Sequence, residues 1–186
     1  MQYNLPTTLT LLRIAIIPVF IVIFYVPMGW SNFWCTLLFG LAAITDWLDG
    51  YLARRWEQTS AFGAFLDPVA DKLLVATALI LLVQAIPSVL MALSTAIIIG
   101  REIAISALRE WMAQMGRRGV VSVSQLGKWK TAMQMTALLL LLYRDPLWEL
   151  PTLLIGQALL LLSAGLTLWS MFSYLSAAWP VLKRSS

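Results

Sequence analysis

The chain has 186 residues, of which 60% are hydrophobic and only 12% charged. A water-soluble domain of this length cannot hide so much apolar surface, so the composition excludes a soluble enzyme and predicts an all-α integral membrane protein in contact with a lipid bilayer. The net charge of +4 is compatible with nucleic acid in sign alone; the basic residues stand at the ends of apolar runs, as topology signals do, and no nucleic-acid partner is expected.

Two scarcities narrow the chemistry. There is no histidine, which removes imidazole as base, nucleophile or metal ligand. The single cysteine, Cys35, permits neither an intrachain disulfide nor a thiolate metal site, and is expected to be a small apolar filler. Carboxylate, lysine, arginine, hydroxyl and backbone groups are left, and oxygen-only ligand sets suit hard cations such as Mg²⁺ or Mn²⁺.

The opening Asn4-Leu-Pro6-Thr7-Thr8 predicts a short cap or interfacial turn. No basic n-region or small-residue cleavage site accompanies the first apolar run, so a cleavable signal peptide is not expected. Six apolar segments follow, at Thr8–Val26, Phe33–Trp56, Phe65–Ile86, Val89–Met112, Thr131–Tyr143 and Leu150–Trp179. The fifth is short for a span unless it begins near Gln125. Turn chemistry separates the segments at Pro27-Met28-Gly29, Pro87, Gly116 to Gly119, and Asp145-Pro146. A six-transmembrane-helix bundle forming one domain over residues 1–186 is the predicted architecture.

Charge sets the orientation. The first and third connections carry no charge, and the fifth carries Arg144 alone among basic residues. Arg54, Arg55, Arg109, Arg117, Arg118, Lys128, Lys130, Lys183 and Arg184 lie on the other side, nine of the 13 basic residues. The positive-inside bias then places both termini in the cytoplasm.

Where the second segment meets the third, on that same side, stand Asp46, Asp49, Asp67 and Asp71, four of the nine carboxylates in the chain. A carboxylate at the centre of a membrane helix costs roughly 2.5–3.5 kcal/mol on insertion scales, so four would cost on the order of 10 kcal/mol without cations to neutralise them. Their spacing is regular. At about 100° per residue, Asp46, Asp49, Gly50 and Ala53 fall within one arc of roughly 100°, while Gly63, Asp67 and Asp71 recur every fourth residue on the next helix. Two helices can therefore each aim two carboxylates into one cleft, with Gly50, Ala53 and Gly63 letting a ligand approach the backbone. Two divalent ions would relieve the repulsion and clamp a phosphoryl group, and Arg54 could grip a phosphate through two parallel hydrogen bonds. Without histidine, a carboxylate must be the base. Competing readings exist for single members: Asp67-Pro68 alone suggests a helix start, Arg55 an interface anchor, and Lys72 a snorkelling or Asp71-pairing group.

A second charged set contains Arg101-Glu102, Arg109-Glu110 and Lys128-Trp129-Lys130. Arg101 lies inside an apolar segment, where an unpaired guanidinium is costly. Glu102 adjoins it but is expected to point elsewhere around the helix. Arg109 follows eight residues on, about 80° around, near the face of Arg101. These cations fit a pocket for a phosphate on a second substrate, whereas Arg117 and Arg118 fit plain topology anchors.

The pattern D46-W-L-D49-G50-Y-L-A53-R54, followed by G63-A-F-L-D67-P-V-A-D71, resembles the signature of the CDP-alcohol phosphatidyltransferase family at every defining position. The resemblance implies six membrane helices, usually as a homodimer, with a cytosol-facing site that releases CMP as a hydroxyl attacks the phosphate next to the lipid. It implies two Mg²⁺ or Mn²⁺ ions on Asp46, Asp49, Asp67 and Asp71, with Asp71 also the general base. Gly50, Arg54 and Ser60 would contact CDP-diacylglycerol, and Ala53 and Gly63 would leave room for its nucleotide. The stretches N-L-P-T-T-L-T-L-L-R-I, R-E-I-A-I-S-A-L-R-E-W and G-K-W-K-T-A-M-Q-M resemble the bacterial members whose acceptor is sn-glycerol 3-phosphate, which implies the bacterial inner membrane. On that likeness Thr10 lies near the CDP-diacylglycerol site, and Arg101, Arg109, Lys130 and, less centrally, Lys128 bind the acceptor phosphate. Family members with inositol phosphate, serine or phosphatidylglycerol as acceptor, or an ion-coupled transporter using the carboxylates as a cation site, are the alternatives.

Overall fold

The computed structural model describes residues 5–56, 61–115, 125–146 and 150–185. They form six helices: α1 (Leu5–Tyr25), α2 (Ser31–Trp56), α3 (Ala61–Ala85), α4 (Val89–Gln114), α5 (Gln125–Tyr143) and α6 (Thr152–Ser185). Among the described residues, Thr8–Tyr25, Val89–Gln114 and Thr152–Ser176 are stretches long and apolar enough to cross a membrane. The protein is helical and membrane-embedded. The chain divides into two compact units, one of Met1–Ala85 with Leu139–Leu153 and the other of Ile86–Leu138 with Leu154–Ser186.

In the first unit α1 packs against both α2 and α3. Its start is written locally: Pro6 falls in the first turn, where no backbone N–H is needed for the helix. Between lipid-bathed helices the hydrophobic effect offers little, so association relies on close packing, and small residues allow it. Ala42, Ala70 and Ala78 are fully buried, as are Phe20, Cys35 and Phe39. The Phe20 and Phe39 rings lie 6.5 Å apart. Cys35 is a free, buried filler.

The helix-start reading of Asp67-Pro68 does not hold. α3 begins at Ala61 and carries Pro68 inside it. A proline within a membrane helix is tolerated because neighbouring groups compensate the missing hydrogen bond. Asp67 is therefore not used up as a cap. Elsewhere the helices outrun the apolar runs: α5 does begin at Gln125, and α6 continues through Lys183 and Arg184.

The end of this unit remote from the aspartates is laced by short contacts. Arg144 closes α5 in the left-handed conformation (φ 57°), which costs a non-glycine residue roughly 1–2 kcal/mol. Its guanidinium lies 4.8 Å from the centre of the Phe24 ring. The next residue, Asp145, accepts from Asn32 Nδ2 at 3.3 Å and, through its backbone carbonyl, from Thr152 Oγ1 at 2.9 Å.

In the second unit α4 starts after Pro87 with Ser88 as N-cap, its hydroxyl accepting from the Met91 backbone N–H at 3.2 Å. The buried positions Met91, Ser94, Thr95, Ile98, Ile105 and Met112 recur at helical spacing and form one stripe. Leu160, Ser163, Ala164 and Thr167 give α6 a matching stripe. Met112 packs with Leu108, Trp111 and Tyr174. Outward faces carry large apolar groups such as Trp169, Phe172 and Trp129, which suits a surface solvated by lipid.

Candidate active site

One turn of α1 organises the aspartates. Thr10 and Arg13, spaced i, i+3, share a face of the helix. Arg13 Nη1 donates to Asp46 Oδ1 on α2 at 2.9 Å, and the same nitrogen bridges to Asp71 Oδ1 on α3. Thr10 Oγ1 donates to Asp67 Oδ1 at 2.5 Å. Because α1 touches both neighbours, two residues on one helix reach carboxylates on two others.

Exposure orders these groups in depth. The Arg13 side chain is 1% exposed, whereas those of Asp46 and Asp71 are 39% and 37% exposed. The guanidinium forms a buried floor, and the carboxylates standing on it remain open to an approaching ligand. A buried cation without partners is prohibitively costly; two carboxylates answer that cost here. In return, two like charges that would repel each other are held side by side on one donor.

Gly63 is buried on α3, one turn before Asp67. Asp49, Gly50, Ala53 and Arg54 continue α2 beyond Asp46, with side chains outside the described ones, and Ser60 lies outside the described residues altogether. Among the described residues no group of three or more acidic, histidine or cysteine side chains gathers as the ligands of a metal do; Asp46, Asp67 and Asp71 are instead engaged by Arg13 and Thr10. The donor chemistry nevertheless fits a hard divalent cation. The partly open carboxylates offer only oxygen, and the single thiol is buried away in the helix core.

The second unit holds the other charged set. Lys130, 3% exposed, lies within electrostatic reach of Arg101, Glu102 and Arg109. Among the described residues, Lys130, Arg101 and Arg109 with the one carboxylate of Glu102 leave a surplus of positive charge suited to a phosphate. The Arg101 Nε is buried and has no hydrogen-bond partner among the described residues. Arg109 is exposed, and the Lys128 side chain lies outside the described ones.

Glu102 does not point away from Arg101: its Oε1 accepts from Arg101 Nη1. Positions i and i+1 diverge by about 100° at the backbone, but two long side chains can bend across that angle. Arg13 was missed as a site residue. Its signal was present, since it is a lone basic residue within the first apolar segment, the same anomaly that singled out Arg101.

The sequence profile of a family described as CDP-alcohol phosphatidyltransferase matches residues 3–169. A curated protein from Shigella flexneri serotype 5b is 54% identical over 178 residues, covering 96% of each chain, and is named CDP-diacylglycerol–glycerol-3-phosphate 3-phosphatidyltransferase. Its counterpart from Escherichia coli strain K12 bears the same name and matches with the same identity and coverage.

Proposed function

This chain belongs to the CDP-alcohol phosphatidyltransferase family, and we propose that it transfers the phosphatidyl group of CDP-diacylglycerol to sn-glycerol 3-phosphate, giving phosphatidylglycerophosphate and CMP. The likeness over 96% of the chain to relatives named for this reaction carries the proposal. The charge surplus around Lys130 supports an acceptor that itself bears a phosphate.

The acceptor hydroxyl attacks the phosphorus next to the lipid as the bond to CMP breaks on the opposite side, in line. Asp46, Asp49, Asp67 and Asp71 would hold two Mg²⁺ or Mn²⁺ ions, whose charge would offset that gathering on the departing CMP. Arg54 grips the diphosphate, with Thr10 and Ser60 nearby, and Gly50, Ala53 and Gly63 keep the nucleotide's path clear. Asp71 accepts the hydroxyl proton on a carboxylate oxygen. Arg101, Arg109 and Lys130, with Lys128 at their edge, hold the acceptor by its phosphate, so the rate is gained by positioning and electrostatics. The same reading takes residues 1–186 as one domain with six spans, both termini cytoplasmic, working as a homodimer in the bacterial inner membrane with its site facing the cytoplasm.

CMP release from CDP-diacylglycerol, assayed with a panel of acceptors, tests the proposal. Release with sn-glycerol 3-phosphate well above that with serine, inositol phosphate or phosphatidylglycerol is expected. Preference for another acceptor would move the chain within its family. No release with Mg²⁺ and any of them would favour an ion-coupled transporter.

A further inference from the structure

Arg13 is the most deeply buried charged group described, and nothing in the proposed chemistry requires it. A base, metal ligands, a donor grip and an acceptor pocket are all supplied by other residues. Yet one of its nitrogens contacts two of the four aspartates, and the neighbouring turn of the same helix engages a third through Thr10. The side chain enters from beneath, 1% exposed, while the carboxylates above it stay more than a third open.

We infer that Arg13 is the site's own counter-cation: it holds Asp46 and Asp71 together in the ion-free protein, and divalent ions bind against its charge. The inference rests on the two-ion reading above. Its logic is electrostatic competition. Carboxylates clustered at a membrane boundary need positive charge whether or not ions are present. A guanidinium supplies part of it permanently, so the site stays assembled when empty. The same fixed charge repels each incoming cation and lowers ion affinity. Affinity is thereby traded for an ordered site from which ions can come and go. A merely structural arginine would stabilise ion-free and ion-loaded protein alike. A pure orienting group would strengthen ion binding.

The test compares full-length wild type with Arg13→Met and Arg13→Lys, purified in detergent, by Mn²⁺ titration followed by electron paramagnetic resonance and by thermal unfolding in EDTA and in Mn²⁺. In Arg13→Met, Mn²⁺ should bind about tenfold more tightly, the melting temperature in EDTA should fall, and the gain on adding Mn²⁺ should exceed that of wild type. Arg13→Lys, which keeps the charge, should bind Mn²⁺ within about threefold of wild type. Unchanged or weaker Mn²⁺ binding in Arg13→Met overturns the inference while leaving the two-ion reading intact. So does an Arg13→Met protein that cannot be recovered folded even with Mn²⁺, because the ions would then not replace the guanidinium. Wild type that takes up no Mn²⁺ overturns both.

Discussion

Thr10 reaches across 57 positions of sequence to donate its hydroxyl to Asp67 at 2.5 Å. The bond ties the first helix to the third at the level of the aspartates, one turn from where Arg13 ties it to both neighbours. A hydrogen bond to a charged group contributes about 1.5–3 kcal/mol. Thr10→Val keeps the shape and removes the donor, and should lower kcat/KM for CDP-diacylglycerol about tenfold or more. Thr10→Ser should retain most of the activity. Equal loss in both variants would point to packing of the methyl group rather than to the hydroxyl.

Arg101 should matter to one substrate and not to the other. Arg101→Gln removes the charge and should raise KM for glycerol 3-phosphate at least about tenfold, in keeping with loss of a charge-assisted contact. KM for CDP-diacylglycerol should move less than about twofold. Steady-state kinetics with each substrate varied in turn checks this, and equal shifts in both would remove the residue from the acceptor pocket.

Lys130 offers a contrast between activity and stability. Its buried ammonium lies within electrostatic reach of Arg101 and Arg109 as well as of Glu102, and a buried cation among cations is costly unless an anion joins them. Lys130→Met should raise the melting temperature by about 2 °C or more while raising KM for glycerol 3-phosphate at least about tenfold. Wild-type protein should gain thermal stability from glycerol 3-phosphate, and the variant should gain much less. A fall in melting temperature would make Lys130 a structural cation.

Asp71→Asn preserves size and hydrogen bonding but cannot take a proton. Turnover should fall by about 10³-fold or more, with CDP-diacylglycerol binding still measurable by equilibrium binding to detergent-solubilised protein. Persisting turnover would assign the base elsewhere in the cluster.

Chelation should stop the reaction reversibly. EDTA should abolish CMP release, and Mg²⁺ or Mn²⁺ added in excess should restore it, because the carboxylates offer only oxygen ligands. CMP release that continues in EDTA would argue against ions in the reaction.

The sequence made the helices and the aspartate window legible because both are local. Apolar runs mark spans, and Asp67 and Asp71 share a face by simple angular arithmetic. What it did not disclose depends on packing. That Arg13 meets Asp46 and Asp71 follows only once α1 is known to pack against both α2 and α3. The Arg101–Glu102 pair escaped because helical angles describe where side chains leave the backbone, not where long ones end. The helix start that Asp67-Pro68 alone suggested fails for a related reason: a membrane helix can keep a proline inside where neighbouring groups compensate the missing hydrogen bond.

The depth of Arg13 also bears on how the protein is made. The guanidinium belongs to a helix made before both of those it binds, and its second partner, Asp71, lies 58 residues later. At about 5–20 residues per second, translation leaves the arginine without that partner for roughly 3–12 s. A lone arginine in a membrane helix opposes insertion, by about 2.5–3.5 kcal/mol at the helix centre and by less toward an end. The charge on the first helix is therefore expected to be neutralised in two steps as its neighbours emerge, by Asp46, 33 residues on, and only then by Asp71.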